Sequence, residues 1–264
     1  IAGSGHQDVL GIALLVAALL LWGSRRRRLF RWTIPLALGA LVKPVVVPAA
    51  AILLRGRPLR VWLRSALLGA ITCVAVAGPL CFTQGGEPLA NLGETASRFS
   101  RKWAHFGSVY EPVLWTIERA TNDPDEWRRD PGNEDLWSND EQEILARAVC
   151  LVLVGGVILV LLGTKVDAWS AARVLLFAMV LFSSTAHPWY LLWALAMMPR
   201  APAAAAWLAT LTLPWGYAQL GDVVEWHTPA GVMLLAYAPV YAVLAVDLVR
   251  TALRRRGRRK PPFA

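Results

Sequence analysis

Long apolar runs separated by short polar breaks constrain this 264-residue chain more than any other feature of its sequence. The first run ends against four arginines at 25–28, and later runs end near Arg55, Lys165 and Arg250. A run of about 20 apolar residues is what an α-helix needs to cross a bilayer. Hydrophobic residues make up 56% of the chain, which is more than ordinary soluble domains contain. The sequence therefore predicts an all-α fold, a polytopic transmembrane helical bundle.

Some of the predicted crossings are short. Residues 29–42 and 44–54 look like paired half-helices, and Pro44 disfavours helix at the residue before it, so we expect a break at Lys43. With these crossings all basic clusters fall on one side of the membrane, which the positive-inside rule makes the cytoplasmic side, together with the C-terminus. The net charge of +9 is explained in this way, and nucleic-acid binding is not expected.

One long polar stretch, residues 84–147, interrupts the apolar sequence and holds thirteen of the eighteen acidic residues. Because the basic clusters lie elsewhere, we expect this stretch to be an extracytoplasmic loop. It has too few core residues to fold alone, so residues 1–264 are interpreted as a single integral-membrane domain. Six apolar residues recur at helical spacing in the loop and predict an amphipathic helix at the membrane interface: Phe99, Trp103, Phe106, Tyr110, Val113 and Ile117.

The start of the sequence is unusual for a complete protein. The first residue is Ile1 rather than Met, and residues 1–6 resemble neither a charged signal-peptide start nor a natural N-terminus. We therefore interpret the chain as the C-terminal part of a longer protein. Residues upstream of Ile1, catalytic ones included, would then lie outside this sequence.

Two ionisable positions lie next to apolar helices, and each has two interpretations. Asp8 could cap a helix by accepting hydrogen bonds from its unpaired N–H groups. With His6 beside it, Asp8 could instead hold a sugar hydroxyl or move a proton. Lys43 could extend its ammonium group to the lipid headgroups, or bind a phosphate at the helix break. The sequence alone leaves these alternatives open.

Further candidates lie in the polar stretch and after residue 186. Arg101 and Lys102 could make ordinary headgroup contacts, or bind one lipid phosphate or pyrophosphate. Trp189 and Tyr190 suit the aromatic belt of any membrane protein, but that belt does not account for His187 beside them. No strong metal-ligand spacing occurs, so no metal site is predicted.

Four short motifs follow one another in an order that is familiar: Gly-Ser-Gly-His6-Gln-Asp8-Val-Leu, Leu-Val-Lys43-Pro44 with Pro48 following, Trp103-Ala-His-Phe106-Gly-Ser108-Val-Tyr110 and His187-Pro-Trp189-Tyr190-Leu-Leu-Trp193. This series resembles the C-terminal part of polytopic GT-C glycosyltransferases. In particular it is similar to bacterial polyprenyl-phosphate-mannose-dependent mannosyltransferases, glycosyltransferase family 87 and its relatives. The resemblance spans nearly the whole chain.

The resemblance implies a membrane enzyme that transfers a sugar, mannose by preference, from a polyprenyl-phosphate donor to a lipid or glycan acceptor. The reaction would take place on the extracytoplasmic side of the inner membrane, among membrane lipids. In this family the catalytic carboxylate lies in the first extracytoplasmic loop, which would be upstream of Ile1. Some members need a divalent cation and others do not, so no cofactor is assigned.

The resemblance also implies roles for individual residues. The donor phosphate would be bound by Lys43, Arg101 and Lys102. The sugar or acceptor pocket would contain His6, Asp8, His187, Tyr110 and Glu111. The lipid chain or a sugar face would pack on Trp103, Trp189 and Tyr190.

Two other functions compete with the glycosyltransferase. In a multi-pass transporter or lipid flippase, Asp8 and Lys43 would line a pathway between helices. A non-catalytic membrane scaffold would not require His6, Lys43 and His187 to converge. The positions of these side chains in the fold therefore discriminate between the hypotheses.

Overall fold

The computed structural model describes residues 2–23, 29–83, 91, 93–94, 106–121, 139–217 and 230–258. The regular elements of these residues are helices, and no strand occurs among them, so the predicted all-α class is confirmed for this part of the chain. The α-helices are α1 (Ala2–Gly23), α2 (Leu29–Val42), α3 (Val47–Leu54), α4 (Leu59–Thr83), α5 (Tyr110–Thr121), α6 (Asn139–Gly163), α7 (Ala168–Leu181), α8 (Leu191–Leu195), α9 (Ala204–Thr212) and α10 (Ala230–Arg258). Short 3-10 turns occur at Pro44–Val46, Pro188–Tyr190 and Leu213–Tyr217.

Three of the helices contain a segment long and apolar enough to cross a membrane: Leu59–Pro79 in α4, Glu141–Gly163 in α6 and Ala230–Arg250 in α10. Shorter apolar segments accompany them in α1, α2, α3 and α7. On α4 large apolar side chains recur every three or four residues and stay exposed: Leu59, Leu63, Leu67, Ile71 and Val74. A stripe of this kind is unfavourable in water and is solvated well by lipid. These helices support the predicted membrane protein.

The chain breaks at Lys43, as the Lys-Pro sequence predicts. Lys43 has an extended backbone (φ −154°, ψ 118°), and Pro44 opens the 3-10 turn that leads into α3. The proline ring excludes the helical conformation at the residue before it. The Lys43 N–H still donates to the Gly39 carbonyl at 2.8 Å, so the last turn of α2 is closed before the break. The Lys43 side chain therefore leaves the backbone at the end of a helix.

Close packing of the helices depends on small residues. A Cβ added at Gly39 of α2 would lie 3.4 Å from the Leu14 Cβ and 3.6 Å from the Gly11 carbonyl oxygen, both on α1. Buried alanines have the same effect on α7 and α9, where they are Ala171, Ala172, Ala205, Ala206 and Ala209. Small side chains let helix backbones approach closely, which is the usual way in which membrane helices associate.

Arg55 connects α3 to the loop between α6 and α7. Its Nη1 donates to the Leu161 carbonyl at 2.9 Å, and its Nη2 donates to the Val166 carbonyl. Gly56, which follows, has a left-handed backbone (φ 68°) that a residue with a side chain adopts only with strain. The C-terminal ends of α3 and α6 and the start of α7 therefore lie together at one end of the molecule, which we call the Arg55 end.

The region before α5 differs from the sequence-based prediction. The helical spacing that starts at Phe99 does not continue as a helix through Phe106, because α5 begins only at Tyr110. Phe106 has a left-handed backbone (φ 60°) and forms an isolated antiparallel bridge with Thr185. A Cβ on Gly107 would lie 2.7 Å from the Ser183 carbonyl oxygen, so this close approach needs a glycine. Contact with the loop after α7 therefore replaces the expected helical turns.

Parts of the polar stretch, which was predicted to be a loop, are helical. α5 lies within residues 84–147, and α6 begins at Asn139, so residues 139–147 belong to the same helix as a candidate membrane span. Residues 84–90, 92, 95–105 and 122–138 lie outside the described residues. The second half of the predicted amphipathic segment is thus helical, with Tyr110 as the first residue of the helix.

Asp167 provides a pH-dependent test of how α7 begins. Its Oδ1 accepts hydrogen bonds from the N–H groups of Trp169 and Ser170, both at 3.0 Å. Burial alone would raise the pKa of Asp167, but these hydrogen bonds lower that pKa below its ordinary value. We expect Asp167→Ala to lower the free energy of unfolding by about 1 kcal/mol near neutral pH. Asp167→Asn, which also caps helices, should cost less.

The stabilisation by Asp167 should decrease as the pH falls. A carboxylate whose pKa is lower in the folded state stabilises fully above its unfolded pKa of about 3.9, and this stabilisation is lost as the pH falls through the folded pKa. Unfolding of the detergent-solubilised protein, measured from about pH 7 downward, should therefore show wild type and Asp167→Asn converging. A constant difference between these two proteins at all pH values would contradict the role of the charge.

Candidate functional site

A buried ion pair joins the first helix to the break at Lys43. The Asp8 side chain is fully buried in α1, and its Oδ1 accepts a hydrogen bond from the Lys43 ammonium. The two residues are 35 positions apart in the chain. Because α1 begins at Ala2, Asp8 lies inside the helix and not at its start, so the helix-capping interpretation of Asp8 is wrong. The second oxygen, Oδ2, has no hydrogen-bond partner within the described residues.

Trp193 is the third member of this contact. Its indole Nε1–H donates to Asp8 Oδ1 at 3.1 Å, and the side chain is almost fully buried. Gly11 makes room for the ring, since a Cβ on Gly11 would lie only 2.7 Å from the edge of the indole. Gly11 and Asp8 are three residues apart on α1 and so face the same side. The motif around Asp8 is therefore joined to Trp193, the last residue of the fourth motif, for which the sequence predicted no role.

The Lys43 ammonium also lies over an aromatic ring. Its Nζ is 4.6 Å from the centre of the Tyr190 ring, a distance at which the ring face attracts a cation. The Lys43 side chain remains 30% exposed, in contrast to Asp8. Lysine carries three N–H donors, and Asp8 accepts one of them. The ammonium is thus held by two neighbours and keeps donors for a further acceptor.

Tyr190 links Lys43 to a cluster of aromatic rings around His187. The His187 ring stacks on Trp189 with 4.2 Å between ring centres and meets Tyr190 edge-on at 5.5 Å. Tyr217, from the 3-10 turn after α9, stacks near Trp189 at 5.9 Å. Its hydroxyl lies 3.4 Å from His187 Nδ1, which is at the long limit for a hydrogen bond. We call His187, Trp189, Tyr190 and Tyr217 the aromatic cluster.

A cavity of about 190 Å³ lies between the ion pair and α7, and we call it the Lys43 cavity. Polar groups enter its wall from Lys43, Ser183 and Tyr190, while Asp8 is buried behind them. The rest of the wall is mainly apolar: Val45, Leu176, Met179, Val180 and Trp193. One cation beside an aliphatic surface suits a ligand that has an anionic group attached to a hydrocarbon.

Tyr110 and Glu111 lie at a different place. Tyr110 is fully buried against Ala146 and Cys150 of α6, and its hydroxyl has no hydrogen-bond partner among the described residues. Burial, and then the nearby Glu143 carboxylate, raise the pKa of Tyr110 above its ordinary value. Glu111 is half-buried next to it. Tyr110 belongs to the α5–α6 contact, and neither residue lines the Lys43 cavity.

The segment before Tyr110 is nevertheless attached to the loop that leads to His187. The Tyr237 hydroxyl donates to the Phe106 carbonyl at 2.7 Å, and the Ser108 hydroxyl donates to the Leu181 carbonyl at 2.6 Å. Together with the bridge from Phe106 to Thr185, these bonds bring the third and fourth motifs side by side. They lie at the end of the molecule where α7 finishes, opposite to the Arg55 end.

Several predicted site residues are not part of this geometry. Arg101, Lys102 and Trp103 lie outside the described residues. His6 belongs to α1, but its side chain also lies outside them. Of the predicted residues that the structure describes with side chains, the set that comes together is Asp8, Lys43, His187, Trp189 and Tyr190.

Among the described residues, no group of three or more His, Cys, Asp or Glu side chains lies close enough together to hold a metal ion. The Asp8 carboxylate next to the Lys43 cavity accepts hydrogen bonds from an ammonium and an indole through its Oδ1.

Comparison with protein-family models, with curated proteins and with solved structures gives no match to this chain.

Removal of one charge of the ion pair tests its contribution to stability. Breaking a buried pair leaves the other charge uncompensated, which costs about 3–5 kcal/mol when both groups are fully buried. Because Lys43 is partly exposed, we expect Asp8→Asn to lower the free energy of unfolding by a smaller amount, about 2 kcal/mol. Unfolding of the protein by SDS in a mild detergent, followed by circular dichroism, measures this value.

The double variant Asp8→Asn, Lys43→Gln measures the interaction between Asp8 and Lys43 separately from their contacts with other residues. Residues in direct contact give non-additive effects, so the double variant should be more stable than the sum of the single variants predicts, by about 1 kcal/mol. Additive losses would show that Asp8 and Lys43 do not interact in the folded protein.

Proposed function

We propose that this chain belongs to a membrane glycosyltransferase that moves a sugar, mannose by preference, from a polyprenyl-phosphate donor to an extracytoplasmic lipid or glycan acceptor. The observation that carries the proposal is the Lys43 ammonium, which stands at the wall of a mainly apolar cavity with the aromatic cluster beside it. A polyprenyl-phosphate sugar has three parts: a hydrocarbon, a phosphate and a sugar. This corner of the molecule has a suitable surface for each.

Lys43 would act on the phosphate. In the reaction an acceptor hydroxyl attacks the anomeric carbon, a new carbon–oxygen bond forms, and the bond from that carbon to the phosphate oxygen breaks. The leaving phosphate takes the electron pair, and a positioned cation stabilises the charge as it develops. The acceptor proton goes to a general base, which is not assigned to any residue of this chain. Asp8 supports the reaction by holding the ammonium in place.

The aromatic cluster would pack against the sugar or the first part of the lipid. Tyr190 contacts both Lys43 and His187, so a group held by the ammonium lies next to these rings. His187 has a ring nitrogen near the Tyr217 hydroxyl, and both are able to hydrogen-bond a sugar hydroxyl. The aliphatic side chains of Leu176, Met179 and Val180 provide the surface for the hydrocarbon.

The orientation in the membrane is part of the proposal. Arg57 and Arg60 follow Arg55 in the chain, at the Arg55 end of the molecule, where α3 ends and α4 begins. The positive-inside rule assigns such clusters to the cytoplasm. The ion pair and the aromatic cluster would then face the extracytoplasmic side, where a polyprenyl-phosphate sugar is used as the donor.

One observation favours the alternative of a transporter or lipid flippase. A fully buried carboxylate paired with a lysine is typical of ionisable residues that line membrane pathways. Against it stands the position of Lys43 at a helix end, next to a cavity and not along a path through the helices. The two functions differ in whether a covalent bond is formed, which an assay decides.

The test is transfer of radiolabelled mannose from polyprenyl-phosphate mannose to membrane acceptors by the full-length protein. Loss of one group that stabilises charge in the transition state lowers turnover by about 100-fold to 1,000-fold. We expect Lys43→Ala to show a loss of that order. Lys43→Arg should keep part of the activity, since the charge remains while the shape changes. Arg101→Ala tests the second predicted phosphate contact in the same assay.

Arg57→Ala is the matched control, because it removes an exposed cation from the Arg55 end and should leave transfer unchanged. Folding of every variant is checked by its thermal unfolding temperature. A folded wild type that transfers no mannose from this donor contradicts the proposed reaction. Active wild type with equally active, folded Lys43→Ala contradicts the proposed role of Lys43.

A further inference from the structure

A second and larger cavity lies between α5, α6 and α10, on the other side of the end of α7 from the Lys43 cavity. Its volume is about 520 Å³, within the range of roughly 300–1,000 Å³ that is common for small-molecule sites. Aliphatic side chains form most of its wall, among them Val113 and Ile117 of α5 and Leu145 and Val149 of α6. We call it the α5 cavity.

The α5 cavity is continuous with an apolar surface of a candidate membrane span. Leu145 and Val149 line the cavity and are also exposed, and further along the same helix Leu151, Val152 and Leu159 are exposed too. All of these residues belong to the segment Glu141–Gly163 of α6, which is long and apolar enough to cross a membrane. A hydrocarbon chain of the bilayer can therefore enter the cavity without crossing a polar barrier.

A cation and an aromatic ring stand next to the cavity on the surface of α5. The Arg119 guanidinium lies 4.4 Å over the Trp115 ring, and both side chains are exposed. Arg119 is three residues from Thr116, which lines the cavity, so it lies on the same side of the helix one turn further on. Tryptophan and arginine together are typical of the interface where lipid phosphates lie.

The acidic residues of α5 do not block this arrangement. Glu111 and Glu118 are seven residues apart and share a different face of the helix, roughly a quarter-turn from Arg119. The basic group therefore borders the cavity while the carboxylates point elsewhere along the helix.

We propose that the α5 cavity binds an anionic phospholipid of the bilayer, with one acyl chain between α5, α6 and α10 and its phosphate on Arg119. The acyl chain fills the space between the side chains that line the cavity, and Trp115 packs beside the lipid headgroup. This lipid is separate from the sugar donor and acceptor, and the site does not depend on the proposed glycosyltransferase activity. It holds α5 against the two spanning helices.

The experiment uses phosphatidylglycerol with a photoreactive diazirine in one acyl chain, added to phosphatidylcholine vesicles that contain the full-length protein. After illumination, labelled peptides are identified by mass spectrometry. We expect label on peptides of α5 and α6 that contain Val113 and Val149. Excess phosphatidylglycerol without the diazirine should compete with the label, and excess phosphatidylcholine should not.

Two Val→Trp variants on one helix give the matched comparison. Val149→Trp fills the cavity and should lower labelling about tenfold, the effect of losing contact with roughly two methylene groups. Val152→Trp changes a lipid-facing residue away from the cavity and should leave labelling unchanged. Thr116→Trp fills the cavity from α5 and replaces Val149→Trp if that variant does not fold.

Substitutions of Arg119 test its proposed contact with the lipid headgroup. Arg119→Gln should remove the preference for phosphatidylglycerol over phosphatidylcholine, while Arg119→Lys should retain it. Label that spreads over α4, α6 and α10 in proportion to exposure, with no effect of either tryptophan in the cavity, would overturn the lipid site. Equal competition by phosphatidylcholine in the wild type would overturn its anionic character.

Discussion

The ion pair between Asp8 and Lys43 is the interaction on which the arrangement of this end of the molecule depends. A fully buried carboxylate is costly unless a cation neutralises it, and Lys43 is the cation that reaches Asp8. To make this contact α2 must end at Lys43, and the Lys-Pro sequence ends it there. Trp193 and Tyr190, which follow α7 in the chain, then pack around the same two groups. One electrostatic requirement thus brings three distant parts of the sequence together.

Glycines allow neighbouring groups to lie close to the backbone around the Asp8–Lys43 ion pair and the segment before α5. Gly11 leaves space for Trp193, and Gly107 lets the segment before α5 lie against the Ser183 carbonyl. A Cβ on Gly216 would lie 2.7 Å from the Phe106 ring, so a third glycine is required where the turn after α9 meets that segment. A side chain at any of these three positions would collide with its neighbour, so the glycines allow Trp193 and the segment before α5 to pack where they do.

Much of the fold could be predicted from the sequence, because apolar runs and proline act locally. The helical class and the break at Lys43 follow from residues that are neighbours in the chain. The pairing of Asp8 with Lys43 could not be predicted, since 35 residues separate them and only the packing of α1 on α2 brings them together. Helical spacing from Phe99 was misleading for Phe106, because periodicity does not detect the contact that Gly107 makes with another loop. Tyr217 carried no local signal, and Trp193 belongs to the fourth motif but gave no indication of its hydrogen bond to Asp8.

The most direct measurement is binding of radiolabelled polyprenyl phosphate to the full-length protein in lipid nanodiscs, without a sugar or an acceptor. It isolates the phosphate contact from catalysis. If Lys43 holds the phosphate, Lys43→Met, which keeps a long side chain without the charge, should weaken binding about tenfold or more. Arg57→Met at the Arg55 end should bind as the wild type does. Equal binding by wild type and a folded Lys43→Met protein would contradict the central role given to Lys43.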